Sequence, residues 1–476
     1  MAAYRIPAEA RLNSKFHSVI LPLQQSKSSD KEIEKKCNDL IAENNSIMES
    51  IDIKSVISRL NLIEDEIGKY LVNRREVTKQ GIRALMTSEH QFIFSAAGVA
   101  KSLYANQIFS YFRNSSVFAL QFCPDTTPDD LFGAYDIDKF KKGEIYHNVE
   151  GSIVTNNFAF LDEFMDGNDK LLRSLLSVLL ERKFIAGNQV EEAILHTAIA
   201  TSNYMRISET TEALLDRFLY KSFILPSKDM FTLLKIDKVY NENAGRVVIP
   251  DRETQIEILE LFYLKRLIKN QNPKLNVQVP IEVKYFKNLV VVSFEEEMKK
   301  YRQKYYISPR TISKSNDLMK ATALLNGRFR VTEEDVEGLY HMFCTVNEPL
   351  NEERTLISQD LFKQVYRKRL QYFHSIKDDL IPLLYIFEFI HQLQMDPKLI
   401  KNPMPTLDKL TKQSIVGDLF EKIKHPFMNA DDKKGKLNKS HLLDFIGQFE
   451  SNYNEINQFK NKLQNFIKEV FQMIEG

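Results

Sequence analysis

The sequence predicts an α/β fold in which a parallel sheet lies between helical layers and is followed by a long helical region. Five short apolar runs alternate with segments of helical periodicity, and runs without polar alternation indicate strands buried on both faces. After Pro226 the chain has mainly helical periodicity. The predicted strands lie at residues 92–94, 117–122, 158–161, 194–201 and 222–225.

The composition is that of a globular chain of two to four domains, with 476 residues, 43% hydrophobic and 27% charged. A formal charge of +1 provides no general attraction to nucleic acid or anionic lipid, so we expect neither as a partner. The three cysteines are widely spaced, which fits a reducing compartment. The strongest apolar run, residues 380–387, is shorter than the roughly 20 residues of a membrane span. These features predict a cytoplasmic protein without a membrane span.

Helices are predicted on both sides of the sheet. Residues 31–70 have apolar residues at helical spacing among charges, with no proline and no glycine before Gly68, and predict an N-terminal helical layer. The last helix has an apolar stripe that we expect to pack on its own neighbours rather than on a partner. The stripe consists of Phe459, Leu463, Phe466, Ile467, Val470 and Ile474.

A candidate phosphate-binding loop follows the first predicted strand. Such a loop needs a flexible backbone that turns its N–H groups inward, a lysine for the terminal phosphates and a hydroxyl for Mg²⁺, all at a helix N-terminus. Ser95 and Ala100 replace the two glycines of the usual pattern, so an ordinary strand-to-helix turn with an exposed lysine is the alternative. The candidate nucleotide-binding residues are Gly98, Val99, Ala100, Lys101, Ser102 and Leu103.

Two adjacent carboxylates end the third predicted strand. Asp162, together with Ser102, can hold Mg²⁺, and Glu163 can polarise an attacking water, which are two requirements of phosphoryl transfer to water. A solvated strand end is the alternative. The carboxylates follow Lys101 by about 60 residues, a spacing at which both motifs can meet at the carboxyl edge of one sheet.

Two later polar residues complete the candidate site. Asn203 follows the next predicted strand and could help to position the water. Arg217 follows a helical segment, although an isolated arginine is more often a surface charge.

In their order along residues 70–340, these motifs resemble the MoxR family of AAA+ ATPases, and most of all its RavA branch. The resemblance rests on the Ala-Lys-Ser end of the loop, on residues 161–164 as the Walker B strand and on residues 215–218 as the arginine-finger segment. It also includes residues 308–310 of a helical lid. It implies a P-loop AAA+ three-layer core, an all-helical lid and a helical C-terminal extension.

The resemblance also implies roles for individual residues. Glu163 would activate water, Asn203 would be the sensor 1 residue, Arg217 the arginine finger and Arg310 the sensor 2 residue. The pattern of residues 143–154 predicts a strand, a turn and a strand. In MoxR-like rings a hairpin inserted at this place can face the central pore, so the resemblance makes Tyr146 and His147 pore candidates. A surface hairpin is the alternative. The expected cofactors are ATP or ADP and Mg²⁺.

The predicted organisation has four parts: an N-terminal helical segment (1–65), an α/β nucleotide-binding core (66–225), a linker with the helical lid (226–345) and a C-terminal helical extension (346–476). The first and last parts have no motif that we can match. An arginine finger acts on a neighbour, so we expect a homo-oligomeric ring, a hexamer by resemblance.

The expected function is ATP-driven, chaperone-like remodelling or activation of a protein partner, which in this family often contains a von Willebrand factor A domain. A nucleotide-gated scaffold without hydrolysis and a DNA-acting AAA+ protein are the alternatives.

Overall fold

The computed structural model describes residues 6–26, 28–141, 143, 145–204, 206, 209–224, 226, 229–301, 305–343, 352–427 and 437–475. These residues belong to two units. The first contains the described residues of Met1–Val277, Pro309–Arg328 and Gly338–Gln359, and the second those of Gln278–Ser308, Phe329–Glu337 and Asp360–Gly476.

Every strand among the described residues belongs to the first unit. They are β1 Gln91–Ser95, β2 Phe112–Arg113, β3 Val117–Gln121, β4 Phe158–Asp162, β5 Lys183–Ala186, β6 Gln189–Glu192, β7 Thr197–Ser202, β8 Tyr220–Ile224 and β9 Ile256–Glu257.

The helices of the chain are α1 Ala8–Arg11, α2 Phe16–Gln25, α3 Asp30–Glu49, α4 Ile53–Tyr70, α5 Arg75–Thr87, α6 Lys101–Phe109, α7 Pro128–Phe132, α8 Ile137–Phe140, α9 Asp169–Glu181, α10 Glu209–Leu215, α11 Met230–Asn243, α12 Ile258–Ile268, α13 Ile281–Tyr301, α14 Pro309–Leu325, α15 Tyr340–Phe343, α16 Glu352–Met395, α17 Met404–Thr411, α18 Leu419–Ile423, α19 Lys439–Gly447 and α20 Asn454–Glu475.

A five-stranded sheet of order β3-β4-β7-β1-β8 forms the centre of the first unit. Its neighbouring strands all pair in parallel, so their carboxyl ends share one edge. Every residue of β7 is buried, and β4 is buried up to Asp162, as expected for strands covered on both faces. The predicted α/β fold with a parallel sheet and helical regions is therefore confirmed.

The N-terminal amphipathic segment is divided into two helices rather than one. The side chain of Asp52 accepts a hydrogen bond from the backbone N–H of Lys54, 3.0 Å away, and so caps the start of α4. Aspartate at such a position satisfies an otherwise unpaired helical N–H group. Apolar periodicity alone did not indicate this break.

The prediction of a strand, turn and strand at residues 143–154 is wrong for the residues that the structure describes there. His147 makes an isolated antiparallel bridge with Tyr135, and its backbone N–H and C=O are bound by the side chain of Gln189, at 2.8 and 3.0 Å. The backbone groups of Tyr146 and Asn148 pair with those of Asp136 and Ala134, at 2.7 and 2.8 Å. The segment therefore pairs with earlier residues on one edge and with a side-chain amide on the other, not with itself. The antiparallel hairpin of this region is β5 with β6, which turns at Gly187.

The second unit is helical and contains α13, α16 from Asp360 onward, and α17 to α20. Aromatic contacts join its helices, including Phe294 with Phe362 at 5.1 Å between ring centroids and Phe387 with Phe466 at 5.7 Å. The apolar stripe of α20 is largely buried at Leu463, Ile467 and Val470. Among the described residues, no helix has the length and apolar content needed to cross a membrane.

Candidate nucleotide site

The loop at residues 96–100 connects β1 to α6 and has two left-handed residues, Gly98 with φ of 79° and Ala100 with φ of 61°. Glycine adopts this conformation freely, whereas for alanine the left-handed backbone costs about 1–2 kcal/mol of conformational energy. Ser95 differs because it lies in the extended strand β1 and is fully buried. Of the two positions that lack the usual glycine, Ala100 is the one with a left-handed backbone.

Lys101 is the first residue of α6 and is buried, with 7% exposure. Its Nζ donates a hydrogen bond to Oδ1 of Asn203 and lies 3.8 Å from Oε1 of Glu163. Nδ2 of Asn203 donates in turn to the same carboxylate oxygen. Three residues predicted from separate motifs therefore form one cluster, with the amide of Asn203 bridging the lysine and the glutamate.

Asp162 lies beside this cluster at the end of β4. The hydroxyl of Ser102 donates to Oδ2 of Asp162 over 3.3 Å, and the hydroxyl of Thr201 donates to Oδ1. The backbone N–H of Glu163 is 3.1 Å from the same Oδ1. Thr201 was not predicted as a site residue, although its place two residues before Asn203 on β7 could have indicated it.

The pair formed by Asp162 and Ser102 suits Mg²⁺. Mg²⁺ prefers oxygen ligands and is usually held by one or two protein groups together with waters and substrate phosphates, not by an all-protein cage. The described residues contain no cluster of three or more histidine, cysteine or acidic side chains that could hold a metal ion by themselves. A carboxylate and a hydroxyl at the N-terminus of α6 fit an ion that arrives with a phosphate.

Glu163 has an unusual backbone, with φ of 49° in the left-handed region. The residue ends the strand abruptly and precedes a single turn of 3₁₀ helix, Phe164–Asp166. Its side chain remains 18% exposed, so the carboxylate is accessible to water while it is held by Asn203. Left-handed conformation in a non-glycine residue is costly and is often found at functional positions.

An apolar cavity of about 370 Å³ adjoins the loop and is lined by Gly98, Val99 and Ala100 as well as by residues of α11. Its volume lies within the range of small-molecule sites. Arg74, which also lines it, donates from Nη2 to the carbonyl oxygen of Val99 over 2.8 Å and thereby fixes the loop. Burial lowers the pKa of Arg74. Sequence reasoning missed Arg74, which lies outside the motifs.

The two predicted arginines, Arg217 and Arg310, lie together at one carboxylate, that of Asp216. Nη1 of Arg217 donates to the carbonyl oxygen of Ala213 over 2.6 Å and is 3.8 Å from Oδ2 of Asp216. Nη1 of Arg310, in the first turn of α14, is 3.1 Å from the same oxygen. Asp216 therefore links the predicted finger to the predicted sensor 2 residue.

Two known protein families match parts of the chain. Residues 58–245 match the MoxR domain of MoxR-vWA-beta-propeller ternary systems, and residues 288–357 match the AAA lid domain.

Similar proteins and a similar structure are known. One uncharacterised protein of Methanocaldococcus jannaschii is 29% identical over 292 residues, which is 61% of this chain and 71% of the relative. Another from the same organism is 28% identical over 305 residues, 64% of this chain and 75% of the relative. The crystal structure of a putative ATPase from Cytophaga hutchinsonii superposes with a TM-score of 0.51 at 20% identity, covering 66% of this chain and 96% of that one, and shows the same fold.

Proposed function

We propose, from the matches to the MoxR domain over residues 58–245 and to the AAA lid domain over residues 288–357, that the chain hydrolyses ATP at the cluster of Lys101, Glu163 and Asn203. The main support is that the side-chain amide of Asn203 hydrogen-bonds to both Lys101 and Glu163. A phosphate-binding cation and a candidate base thus lie within 3.8 Å of each other. Both lie where the sheet strands end and α6 begins.

ATP binding would use the loop and the cavity next to it. The N–H groups at the start of α6 and the ammonium of Lys101 would bind the terminal phosphates, with Lys101 exchanging its bond to Asn203 for phosphate oxygens. The apolar cavity beside Val99 would receive the nucleobase. Ser102 and Asp162 would hold Mg²⁺, whose charge offsets that of the phosphates.

Hydrolysis would use Glu163. Its carboxylate would accept a proton from a water molecule as the water oxygen bonds to the γ-phosphorus and the bond to the β,γ-bridging oxygen breaks, giving ADP and phosphate. Asn203 would hold the carboxylate in position through the hydrogen bond from Nδ2. Thr201 would keep Asp162 oriented through its hydroxyl.

We further propose a homo-oligomeric ring, a hexamer, in which Arg217 acts on the ATP of the neighbouring subunit and Arg310 serves as the sensor 2 residue. The ring would remodel or activate a protein partner in the manner of a chaperone. The matching domain is described from systems that contain a von Willebrand factor A component, which supports a partner of that kind. Membership of the RavA branch, a cytoplasmic location and the boundaries 1–65, 66–225, 226–345 and 346–476 are parts of the same proposal.

The test is ATP turnover by the wild-type protein and by Glu163→Gln. Glutamine keeps the size of the side chain and removes the basic oxygen, so turnover should fall by about 10² or more while ATP affinity is kept. Glu192→Gln, at an exposed carboxylate on β6, is the matched control and should hydrolyse ATP normally. If the wild type binds ATP without turnover, a nucleotide-gated scaffold replaces the proposed ATPase.

A further inference from the structure

A second cavity, of about 470 Å³, lies in the first unit beside α9 and the β5–β6 hairpin. No residue lines both this cavity and the one beside the phosphate loop, so the two are separate sites. Its polar lining residues are His147, Arg173, Ser174, Ser177, Glu181 and Arg217. The predicted arginine finger therefore shares a cavity with another arginine, which none of the sequence motifs includes.

The two guanidinium groups keep donors that the chain itself does not use. Arg173 donates from Nε to the hydroxyl of Thr210 over 3.0 Å, and in the described part of the chain no acceptor binds its two Nη atoms. Arg217 donates from Nη1 to the carbonyl oxygen of Ala213, while its buried Nε has no partner among the described residues. Both bonds hold the arginines against α10. Nη1 of Arg217 also lies 3.8 Å from Oδ2 of Asp216, an oxygen that it shares with Arg310, whereas no carboxylate among the described residues binds Arg173.

The cavity is predominantly cationic. Two arginines face it with one carboxylate, that of the exposed Glu181. His147, only 7% exposed in its side chain, has Nδ1 2.8 Å from the carbonyl oxygen of Gly133, which orients the ring at the cavity wall. Paired guanidinium groups are suited to phosphate and carboxylate, because their planar N–H donors match the oxygen geometry of these anions.

We propose that Arg173 is a second interface arginine, which acts with Arg217 on the terminal phosphates of ATP bound by a neighbouring copy of this chain. The inference rests on the proposed ring ATPase. A single arginine supplies one fork of donors, whereas two can bind different oxygens of the γ-phosphoryl group as negative charge shifts to the leaving oxygen. We assign the anion that binds in this cavity to a neighbouring copy of the chain. Arg173 and the predicted finger Arg217 line one cavity, and that cavity is separate from the nucleotide site of their own chain.

The first experiment compares Arg173→Ala and Arg173→Lys with the wild type. Arg173→Ala should lower kcat by about tenfold or more with little change in KM, because the charge acts in the transition state. Arg173→Lys should recover part of the loss, since lysine restores the charge but not the planar fork. Lys170→Ala, at an exposed lysine on the same helix that does not line the cavity, should match the wild type.

The second experiment mixes Arg173→Ala subunits with Lys101→Ala subunits, after verifying that they form mixed rings. Some interfaces then combine an intact nucleotide site with both intact arginines, so turnover should rise above that of either variant alone. Normal kcat for Arg173→Ala beside an active wild type would overturn the role of Arg173 and leave the ATPase proposal intact. A loss that Lys101→Ala subunits do not rescue would place Arg173 within its own subunit and would also overturn the inference. An inactive wild type would refute the ATPase proposal itself.

Discussion

Two polar regions of the first unit differ in how their charges are balanced. At the strand ends, Lys101 and Glu163 are joined through Asn203, and Asp162 accepts hydrogen bonds from two hydroxyls. In the second cavity, neutral oxygens of α10 bind Arg173 and Arg217, Asp216 is shared between Arg217 and Arg310, and both cavity arginines retain unused donors. In the first region each charged side chain has hydrogen-bond partners in its own chain, whereas in the second the Nη atoms of Arg173 have no acceptor among the described residues.

This difference separates what one subunit can do from what an assembly can do. The cluster at the strand ends can bind nucleotide by exchanging internal hydrogen bonds for bonds to phosphate, which needs no second copy. The unused donors of Arg173 and Arg217 can be satisfied when another molecule presents phosphate or carboxylate. Changes in the first region should therefore affect ATP binding or chemistry within a subunit, and changes in the second should affect turnover through the interface.

Lys101→Ala should give the largest effect, a loss of tight ATP binding, because no other cation is present in the cluster to offset the terminal phosphates. Isothermal calorimetry with ATP and Mg²⁺ measures this directly. Lys170→Ala provides the control of equal charge change at an exposed position. If Lys101→Ala bound ATP with unchanged affinity, the cluster at the strand ends would not be the nucleotide site, and the contrast between the two regions would not hold.

Arg217→Ala should come next, with turnover lowered by about 10² to 10³ and ATP affinity close to normal. Nucleotide binding and steady-state hydrolysis of the same preparation separate the two effects. Mixed rings with Lys101→Ala sharpen the comparison, because interfaces with an intact site and an intact arginine should restore activity. Verified mixing without any rescue would show that Arg217 does not act between subunits.

The helix that carries Arg310 depends on a buried ion network. Glu89 accepts hydrogen bonds from Lys269 of the first unit and from Lys314 of α14, at 2.9 and 2.7 Å. Burial by itself would raise the pKa of Glu89, but the two ammonium groups outweigh it and lower the pKa from 4.5 to about 2. Because the folded pKa is below the unfolded one, this stabilisation is complete above about pH 4.5 and is lost as the pH falls towards 2.

Glu89→Gln should therefore lower the free energy of unfolding at pH 7 by about 3 kcal/mol, by removing the buried charge that two half-buried lysines share. Urea unfolding at pH 7 and at pH 3 measures the change, and the difference between variant and wild type should shrink at the lower pH. Glu192→Gln, at an exposed carboxylate, should show little difference at either pH. An equal deficit at both pH values would show that shape, not charge, makes Glu89 important.

The sequence predicted the parts of the site that follow from strand and helix ends. Uninterrupted apolar runs indicated the sheet, and the polar residues that end those runs, Asp162 and Asn203, meet because parallel strands end at one edge. Arg74 and Arg173 could not be found in this way. Their surroundings depend on where α5 and α9 pack relative to loops that are distant in sequence, which single-sequence periodicity does not encode.

The predicted hairpin at residues 143–154 is a second case in which the sequence pattern did not indicate the distant contacts of a segment. The sequence of residues 143–154 predicted two strands that pair with each other. In the structure, the backbone of His147 is bound by the side chain of Gln189, more than forty residues later. The neighbouring backbone groups of Tyr146 and Asn148 pair with Asp136 and Ala134. A local pattern does not indicate that a segment will pair with earlier residues and a distant amide rather than with itself. Predictions made from element ends were therefore more successful than those made from the interior of loops.

The smallest expected effects concern the phosphate loop, where the two missing glycines can be restored separately. Ala100 has a left-handed backbone, so Ala100→Gly should relieve strain and offset the added freedom of the unfolded chain. Its free energy of unfolding should be unchanged or higher by less than about 1 kcal/mol. ATP affinity should stay equal or tighten by a few-fold, since about 1.4 kcal/mol corresponds to tenfold.

Ser95→Gly should act in the opposite direction. Ser95 is extended, fully buried and paired with Ile224 in the sheet, and its hydroxyl lies 3.2 Å from the carbonyl oxygen of Ala96. Glycine there adds unfolded-state freedom and relieves no strain, so the protein should lose up to about 1 kcal/mol of stability without any gain in ATP binding. Thermal unfolding and calorimetry on the two single variants give the contrast. A several-fold gain in affinity for Ser95→Gly, with none for Ala100→Gly, would show that the strained position of the ATP-bound loop is Ser95, and that binding moves the end of β1.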